Sequence, residues 1–320
     1  MKVMRKIGKT LLLILAGFLA LLAILALFNY VMTRLEKASI PPPGKMVDVG
    51  HGKMHVYTEG SGRKNVVLLS GWGNPCPVAD FQPLIKALRN EYTVTVVDYF
   101  GYGWSGQTRS LRTNANIVEE TRAALKAAGI RPPYILLPHS LSGIYALYYS
   151  RKYPGEVAGI VNLDTSFPEL NNYSQDASTS PLYRIARLSG ILRLLVGVKP
   201  AIIGYPAEYF SGREIALMGK MACRNMHDST MLAESGSIYA NRAELLGCGY
   251  PRNIPVVMIL ADSSSAESAK YFNGMDWVAM HKAQVADNVN GSVYVLHGGH
   301  NIYWNNAGKI AAIVGDAMGE

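Results

Sequence analysis

The stretch YILLPHSLSGIYALYYSRKYP, Tyr134 to Pro154, changes its hydrophobic period halfway along. Tyr134–Pro138 is apolar at nearly every position, as a strand buried on both faces is, and Ser142–Tyr153 carries a helical pattern. Pro138-His139-Ser140-Leu141-Ser142-Gly143 must therefore turn a strand into a helix within a few residues. A serine at the apex of such a turn needs small neighbours on both sides, because the chain is crowded there. G-x-S-x-G is the usual form, and here Pro138 and Ser142 take the flanks. The turn lifts the Ser140 hydroxyl above the sheet. It also leaves the Leu141 N–H at a helix N-terminus, where it can stabilise an oxyanion. On spacing alone a serine that caps a helix fits equally well; the strand before it and the helix after it favour a nucleophile.

Working outward, apolar and β-branched runs recur at Asn65–Ser70, Tyr92–Asp98, Ala158–Asp164, Pro255–Ala261 and Ser292–His297. Helical candidates alternate with them at Asp80–Asn90, Asn114–Ala128, Ser142–Tyr153, Asp276–Asp287 and Asn305–Met318. In Asn114–Ala128, for example, Ile117, Ala124, Leu125 and Ala128 share one face, with Glu119, Glu120, Arg122 and Lys126 around the rest. This alternation predicts an α/β fold with an open, mostly parallel, doubly wound sheet. Met46–Tyr57 alternates residue by residue and predicts a leading antiparallel hairpin. The pattern lapses between about Ser166 and Tyr250, a mostly helical stretch read as a cap inserted between two strands. Within it, Tyr183–Val196 sets Arg184, Arg187 and Arg193 among aliphatic residues. It reads as a helix packed on the rest of the cap, the alternative being a helix that touches a bilayer surface.

Three further motifs follow strand ends: Ser70-Gly71-Trp72-Gly73-Asn74-Pro75, Asp98-Tyr99-Phe100-Gly101-Tyr102-Gly103-Trp104-Ser105-Gly106, and Gly298-Gly299-His300. Together with the Ser140 turn, and in this order, they resemble the α/β-hydrolase superfamily over about residues 46–320. The Ser70–Pro75 motif is similar to that family's oxyanion loop, which implies that the Trp72 backbone N–H joins that of Leu141; the family's usual His is Ser70 here. The Asp98–Gly106 motif resembles the family's D-x-x-G-x-G-x-S turn. It also contains G-x-G-x-x-G, but a dinucleotide site needs a helix opening at the glycines and an acidic residue about 20 positions on. Position 126 is Lys, so the segment reads as a structural turn.

The Gly298–His300 motif implies His300 as the base, preferred over His297 at the strand end. Imidazole suits the task because it titrates near neutral pH. His139 adjoins the nucleophile, and its side chain is expected to point elsewhere. The family orders its triad serine, acid, histidine. Asp262 closes the run PVVMILA and matches the usual acid position; Asp164 and Glu267 are the alternatives.

The resemblance implies hydrolysis of a carboxylic ester through an acyl-enzyme, with no cofactor. Serine at the turn, rather than aspartate, argues against the dehalogenase and epoxide-hydrolase branches. No His-rich metal spacing such as H-E-x-x-H occurs. The Leu, Ile, Met and Tyr content of the cap suits an apolar small-molecule substrate. Two other readings stand beside this one. An aminopeptidase resembling the proline iminopeptidases would need cap acids to hold an amine, and Glu169, Asp176, Glu208, Glu214, Asp228, Glu234 and Glu244 are there. A non-catalytic binding protein on the same fold is the other.

Thr10–Met32, TLLLILAGFLALLAILALFNYVM, contains no charge. About 20 apolar residues cross a bilayer core as a helix. The run exceeds a signal peptide's apolar core and lacks an A-x-A ending, so it reads as a retained anchor. Lys2, Arg5, Lys6 and Lys9 precede it and Arg34 and Lys37 follow, which predicts a cytoplasmic N-terminus and an external domain. The expected organisation is a basic tail and anchor over 1–37, a Pro-rich linker over 38–45, and the hydrolase domain over 46–320. Of the net charge of +8, residues 1–37 hold +5, leaving an ordinary balance elsewhere that excludes a nucleic-acid-binding stripe. With 49% hydrophobic and 17% charged residues in a chain of 320, disorder is excluded too. The three cysteines form no C-x-x-C pair; an external location permits a Cys223–Cys248 disulfide, leaving Cys76 free.

Overall fold

The computed structural model describes residues 2–172, 181–272 and 274–319. Its sheet has eight strands: β1 (Lys45–Asp48), β2 (Lys53–Glu59), β3 (Lys64–Leu69), β4 (Tyr92–Asp98), β5 (Tyr134–Pro138), β6 (Val157–Leu163), β7 (Val256–Ala261) and β8 (Ser292–Leu296). They lie in the order β1-β2-β4-β3-β5-β6-β7-β8. The leading hairpin is antiparallel, β2 pairs antiparallel with β4, and every later pair is parallel. The continuous apolar runs are the central strands: all of β5 and β7 is buried, whereas edge strand β8 leaves Tyr294 and Val295 exposed.

The chain leaves β3 towards β4 on one side and returns to β5 on the other. The loops after β3 and β5 therefore diverge at the carboxyl ends of neighbouring strands, the place where open α/β sheets hold their ligands. Residue pairing there runs to Leu69 opposite Pro138, so the Ser70 loop and the Ser140 turn start level with each other.

The helices are α1 (Lys2–Ser39), α2 (Pro77–Asp80), α3 (Gln82–Leu88), α4 (Asn114–Ala128), α5 (Ser142–Lys152), α6 (Pro181–Leu188), α7 (Ile191–Val198), α8 (Gly212–Asn225), α9 (Ser229–Ala243), α10 (Asp262–Tyr271), α11 (Trp277–Val285) and α12 (Tyr303–Met318). Their ends carry local signals. Thr113 caps α4 by accepting from the Asn116 N–H, and Gly129 closes it in the left-handed region. Ser211 and Glu214 form a reciprocal capping box on α8. Asp228 caps α9 through the Thr230 and Met231 N–H groups.

Two compact units result. Residues 42–179 and 228–320 carry the whole sheet with α2–α5 and α9–α12. Residues 1–41 and 180–227 form the other, in which α1 packs with α6 and α8. The stretch read as one cap, about 166–250, is thus divided: α9 belongs to the sheet unit and α6–α8 group with the N-terminal helix. Part of it, residues 173–180, lies outside the described residues. Helix α1 is long and apolar enough to cross a membrane, and its aliphatic residues from Leu11 to Leu27 are largely exposed. All three cysteines are free thiols; no Cys223–Cys248 disulfide is present.

Candidate active site

Ser140 stands at the apex between β5 and α5 with φ +53°, in the left-handed region that a non-glycine residue seldom occupies. The surrounding backbone holds it there. Its N–H donates to the Leu163 oxygen at 3.2 Å and its oxygen accepts from the Ser166 N–H at 2.9 Å. Gly71 must lack a side chain, since a Cβ there would lie 2.7 Å from the Ser140 Cβ. Ser142 is more than a small flank. Its hydroxyl donates to the Ser70 oxygen at 2.5 Å and accepts from Tyr99 at 2.9 Å, tying the turn to the loop beside it. The Leu141 N–H, at the head of α5, makes no hydrogen bond among the described residues.

His300 comes to Ser140 on the loop after β8. Its Nε2 lies 2.9 Å from the Ser140 Oγ and its Nδ1 lies 2.7 Å from an Asp164 carboxylate oxygen. A carboxylate only accepts, so Nδ1 carries the proton and Nε2 is left to accept from the serine hydroxyl. Asp164 is fully buried at the end of β6, itself in the left-handed region at φ +48°. It also accepts from the Ala261 N–H at 3.0 Å and from the Ser264 hydroxyl. Burial works to raise its pKa, but the bond and charge of His300 with these two donors hold it below the usual carboxylate value.

Asp262, expected as the partner of His300, is not bonded to it. It opens α10 and accepts from His297 Nδ1 at 2.8 Å and from the Gly298 N–H at 3.0 Å, in an exposed pair. Sheet order gives the reason. In β5-β6-β7-β8, β6 adjoins the strand that ends at Ser140, and β7 is one strand further out. The carboxylate from β6 reaches the imidazole, and the one from β7 meets only the start of the loop that carries it. His297 therefore closes that loop, and Glu267 lies exposed on α10.

His139 does turn away from the serine hydroxyl, but it has a task. Its Nε2 donates to the His300 backbone oxygen at 3.0 Å and its ring packs against that of His300, centroids 4.7 Å apart. Burial, and then the neighbouring His300, push its pKa down to about 3, so it is a neutral strut.

The loop at 70–76 is fixed from two sides. On one, Trp72 Nε1 donates to the Met231 oxygen on α9 at 2.9 Å, and the Gly73 N–H donates to the Tyr102 hydroxyl at 3.3 Å. Tyr102 and Tyr145 each donate to the buried Glu234 at 2.8 Å. On the other side Asn74 donates to Asp80 at 2.7 Å. Asp80 also accepts from Tyr303 at 2.5 Å and Trp304 at 2.8 Å, just beyond His300. Burial pushes Asp80 up to about 6 against these three donors. The turn after β4 is structural. Asp98 accepts from His55 at 2.7 Å and from the Trp104 N–H at 3.0 Å, while the Gly44 N–H holds the other His55 nitrogen.

A family model described as alpha/beta hydrolase fold matches residues 64–189. The uncharacterized protein YbdG of Bacillus subtilis (strain 168) is 29% identical over 95% of this chain and 94% of its own. A pimeloyl-[acyl-carrier protein] methyl ester esterase from Edwardsiella ictaluri is 30% identical over 34% of this chain and 40% of its own. Among solved structures, a mutant of potato epoxide hydrolase superposes with a TM-score of 0.66 at 17% identity, covering 85% of this chain and 97% of that one. An epoxide hydrolase from Vigna radiata gives 0.60 at 18% identity, covering 85% and 96%. With its sheet order and strand-to-helix serine turn, the chain has the α/β-hydrolase fold.

Proposed function

We propose that this chain is a serine hydrolase that cleaves a carboxylic ester, with Ser140 as nucleophile, His300 as base and Asp164 as acid. The observation that carries the reading is the unbroken hydrogen-bonded series Ser140–His300–Asp164. Ser140 Oγ attacks the ester carbonyl while His300 Nε2 takes its proton, and Asp164 stabilises the resulting imidazolium. The N–H groups of Leu141 and Trp72 hold the oxyanion. His300 passes the proton to the departing alcohol; a water, deprotonated by the same imidazole, then releases the acid and restores Ser140. No group in this scheme calls for a cofactor.

The aminopeptidase reading finds less support. Among the described cap acids, Glu234 is committed to Tyr102 and Tyr145, Asp228 and Glu214 cap helices, Glu244 accepts from Asn114, Glu169 from the Gly247 N–H, and the exposed Glu208 from the neighbouring Tyr209 hydroxyl. Asp176 lies outside the described residues.

The same reading makes α1 a single-pass anchor. A helix whose residues from Leu11 to Leu21 are apolar on every face and left uncovered by protein belongs in hydrocarbon. The basic residues before it favour a cytoplasmic N-terminus and an external hydrolase domain. The deciding experiment is labelling of the full-length protein in detergent with a fluorophosphonate. Labelling of wild type, lost in Ser140→Ala and His300→Ala, is the expected result; a folded wild type that stays unlabelled overturns the hydrolase proposal.

A further inference from the structure

Helix α7 is built inside out. Its only charged residue, Arg193, points inward, while Ile191, Leu194, Leu195 and Val198, at i, i+3, i+4 and i+7, form an exposed aliphatic stripe. The stripe continues into Leu188 on α6. A helix meant for water would turn these faces the other way.

The inward face explains where Arg193 goes. Asn29, Thr33 and Glu36 lie on one side of α1 at helical spacing, with Asn29 and Glu36 buried. Arg193 donates to Asn29 at 2.9 Å, to Thr33 at 3.2 Å and to both Glu36 oxygens at 2.6 and 2.9 Å. Asn29 in turn donates to the Arg187 backbone oxygen at 2.9 Å. The turn between α6 and α7 presses on α1: Gly190, at φ +81°, would set a Cβ 2.7 Å from the Leu25 oxygen.

These contacts set a depth. At about 1.5 Å per residue, Leu25 lies roughly 10 Å before Met32, the end of the uncharged run. The turn is therefore held at a level that α1 itself spans with apolar residues, and Arg193 ties α7 to the end of that run.

We infer that α6 and α7 lie within the membrane leaflet at the C-terminal end of α1, their aliphatic stripe in lipid and Arg193 shielded by the α1 polar face. The inference rests on α1 being an anchor. The occupant of the stripe is lipid, because the turn that leads into it packs at Leu25 within the exposed apolar run of α1, and because Arg193, the one charge on α7, pairs inward with Asn29, Thr33 and Glu36 while the aliphatic side chains face outward.

The test uses the full chain carrying Cys248→Ser, reconstituted in phosphatidylcholine vesicles. Bimane is attached at Leu195→Cys or Val198→Cys, two exposed positions that tolerate a probe. Leu19→Cys in α1 and Val289→Cys on the sheet unit are controls, and a sample without added cysteine gives the background from buried Cys76 and Cys223. The expected result is strong quenching by lipid-borne doxyl groups and protection from iodide at 195 and 198. The probes should report a depth of about 5–10 Å below the headgroup boundary. Iodide quenching at both sites, with Leu19→Cys still quenched by lipid, overturns the inference and leaves the anchor standing. Protection from both quenchers means that a second protein chain covers the stripe, which also overturns it. Failure of lipid quenching at Leu19→Cys removes the anchor itself, and the inference with it.

Discussion

Replacing Asp164 by Asn tests the acid directly, because the change is nearly isosteric and removes only the charge. When the proton of Ser140 reaches His300, an imidazolium forms beside a carboxylate oxygen 2.7 Å from Nδ1. At a charge separation of about 4 Å and an effective dielectric constant of about 20, that attraction is worth about 4 kcal/mol. A loss of this size slows the reaction about a thousandfold. The half-exposed imidazole is screened by water, which reduces the effect. An amide facing Nδ1 also favours the wrong tautomer, which enlarges it, up to about ten-thousandfold in related triads. The assay is kcat/KM for a short p-nitrophenyl ester, with kcat expected to carry the loss and KM to stay nearly unchanged. Asp262→Asn, which disturbs the exposed pair with His297 and leaves an amide oxygen able to accept from the Gly298 N–H, is expected to change activity by less than about tenfold. The reverse pattern, activity retained in Asp164→Asn and lost in Asp262→Asn, refutes the assignment.

Four further outcomes are expected. Gly71→Ala drives a methyl group to within 2.7 Å of the Ser140 Cβ, so kcat should fall at least about tenfold in a protein whose circular dichroism is unchanged. Asp80 has its folded pKa raised from 3.8 to about 6. The stability gained from its protonated form is full below about pH 4 and lost as pH rises through about 6, about 3 kcal/mol in all, and Asp80→Asn should flatten this fall in a thermal-unfolding series. Asp164 has the opposite sign: its depressed pKa gives stability that is present above the ordinary carboxylate value and lost on acidification through the folded one. Arg193→Met strands the buried Glu36 and should cost about 3 kcal/mol or more, read as protease sensitivity at α6–α7 that is relieved in the Arg193→Met, Glu36→Leu double variant.

The sheet was legible because parallel strands covered on both faces are apolar almost throughout, and no tertiary context is needed to see that. Tyr92–Asp98 and Tyr134–Pro138 fall where the pattern puts them. The failures have local causes. Asp80–Asn90 reads as one helix but breaks at Phe81 into α2 and α3, where Pro83 supplies no N–H to carry the ladder through. Helix α10 has no apolar face, burying only Ser268, so it offers no periodicity to read. The cap reads as a single insertion because its helices share one composition. The tie of α7 to α1 runs through Asn29, Thr33 and Glu36, polar residues that give no such signal at the end of an apolar run.

The candidate site divides along the same line. Ser140 and His300 announce themselves through their neighbours in the chain, since the tight turn and the glycine pair are local requirements. The proposed acid does not, because Asp164 and Asp262 both follow strands of similar composition, and only the lateral order of those strands decides which carboxylate faces the imidazole. The supports are less legible still. Asp80 holds Asn74 on one side and Tyr303 and Trp304 on the other, so a single buried carboxylate links the loop beside Ser140 to the segment that follows His300. His139 fixes the His300 backbone from beneath, and Ser142 joins the turn to Ser70. A serine and a histidine brought to 2.9 Å are useful only if neither can drift, and these three residues restrain the segments from which that distance is set. The flank of the turn is then Ser rather than Gly for a physical reason: its hydroxyl makes a bond that glycine lacks.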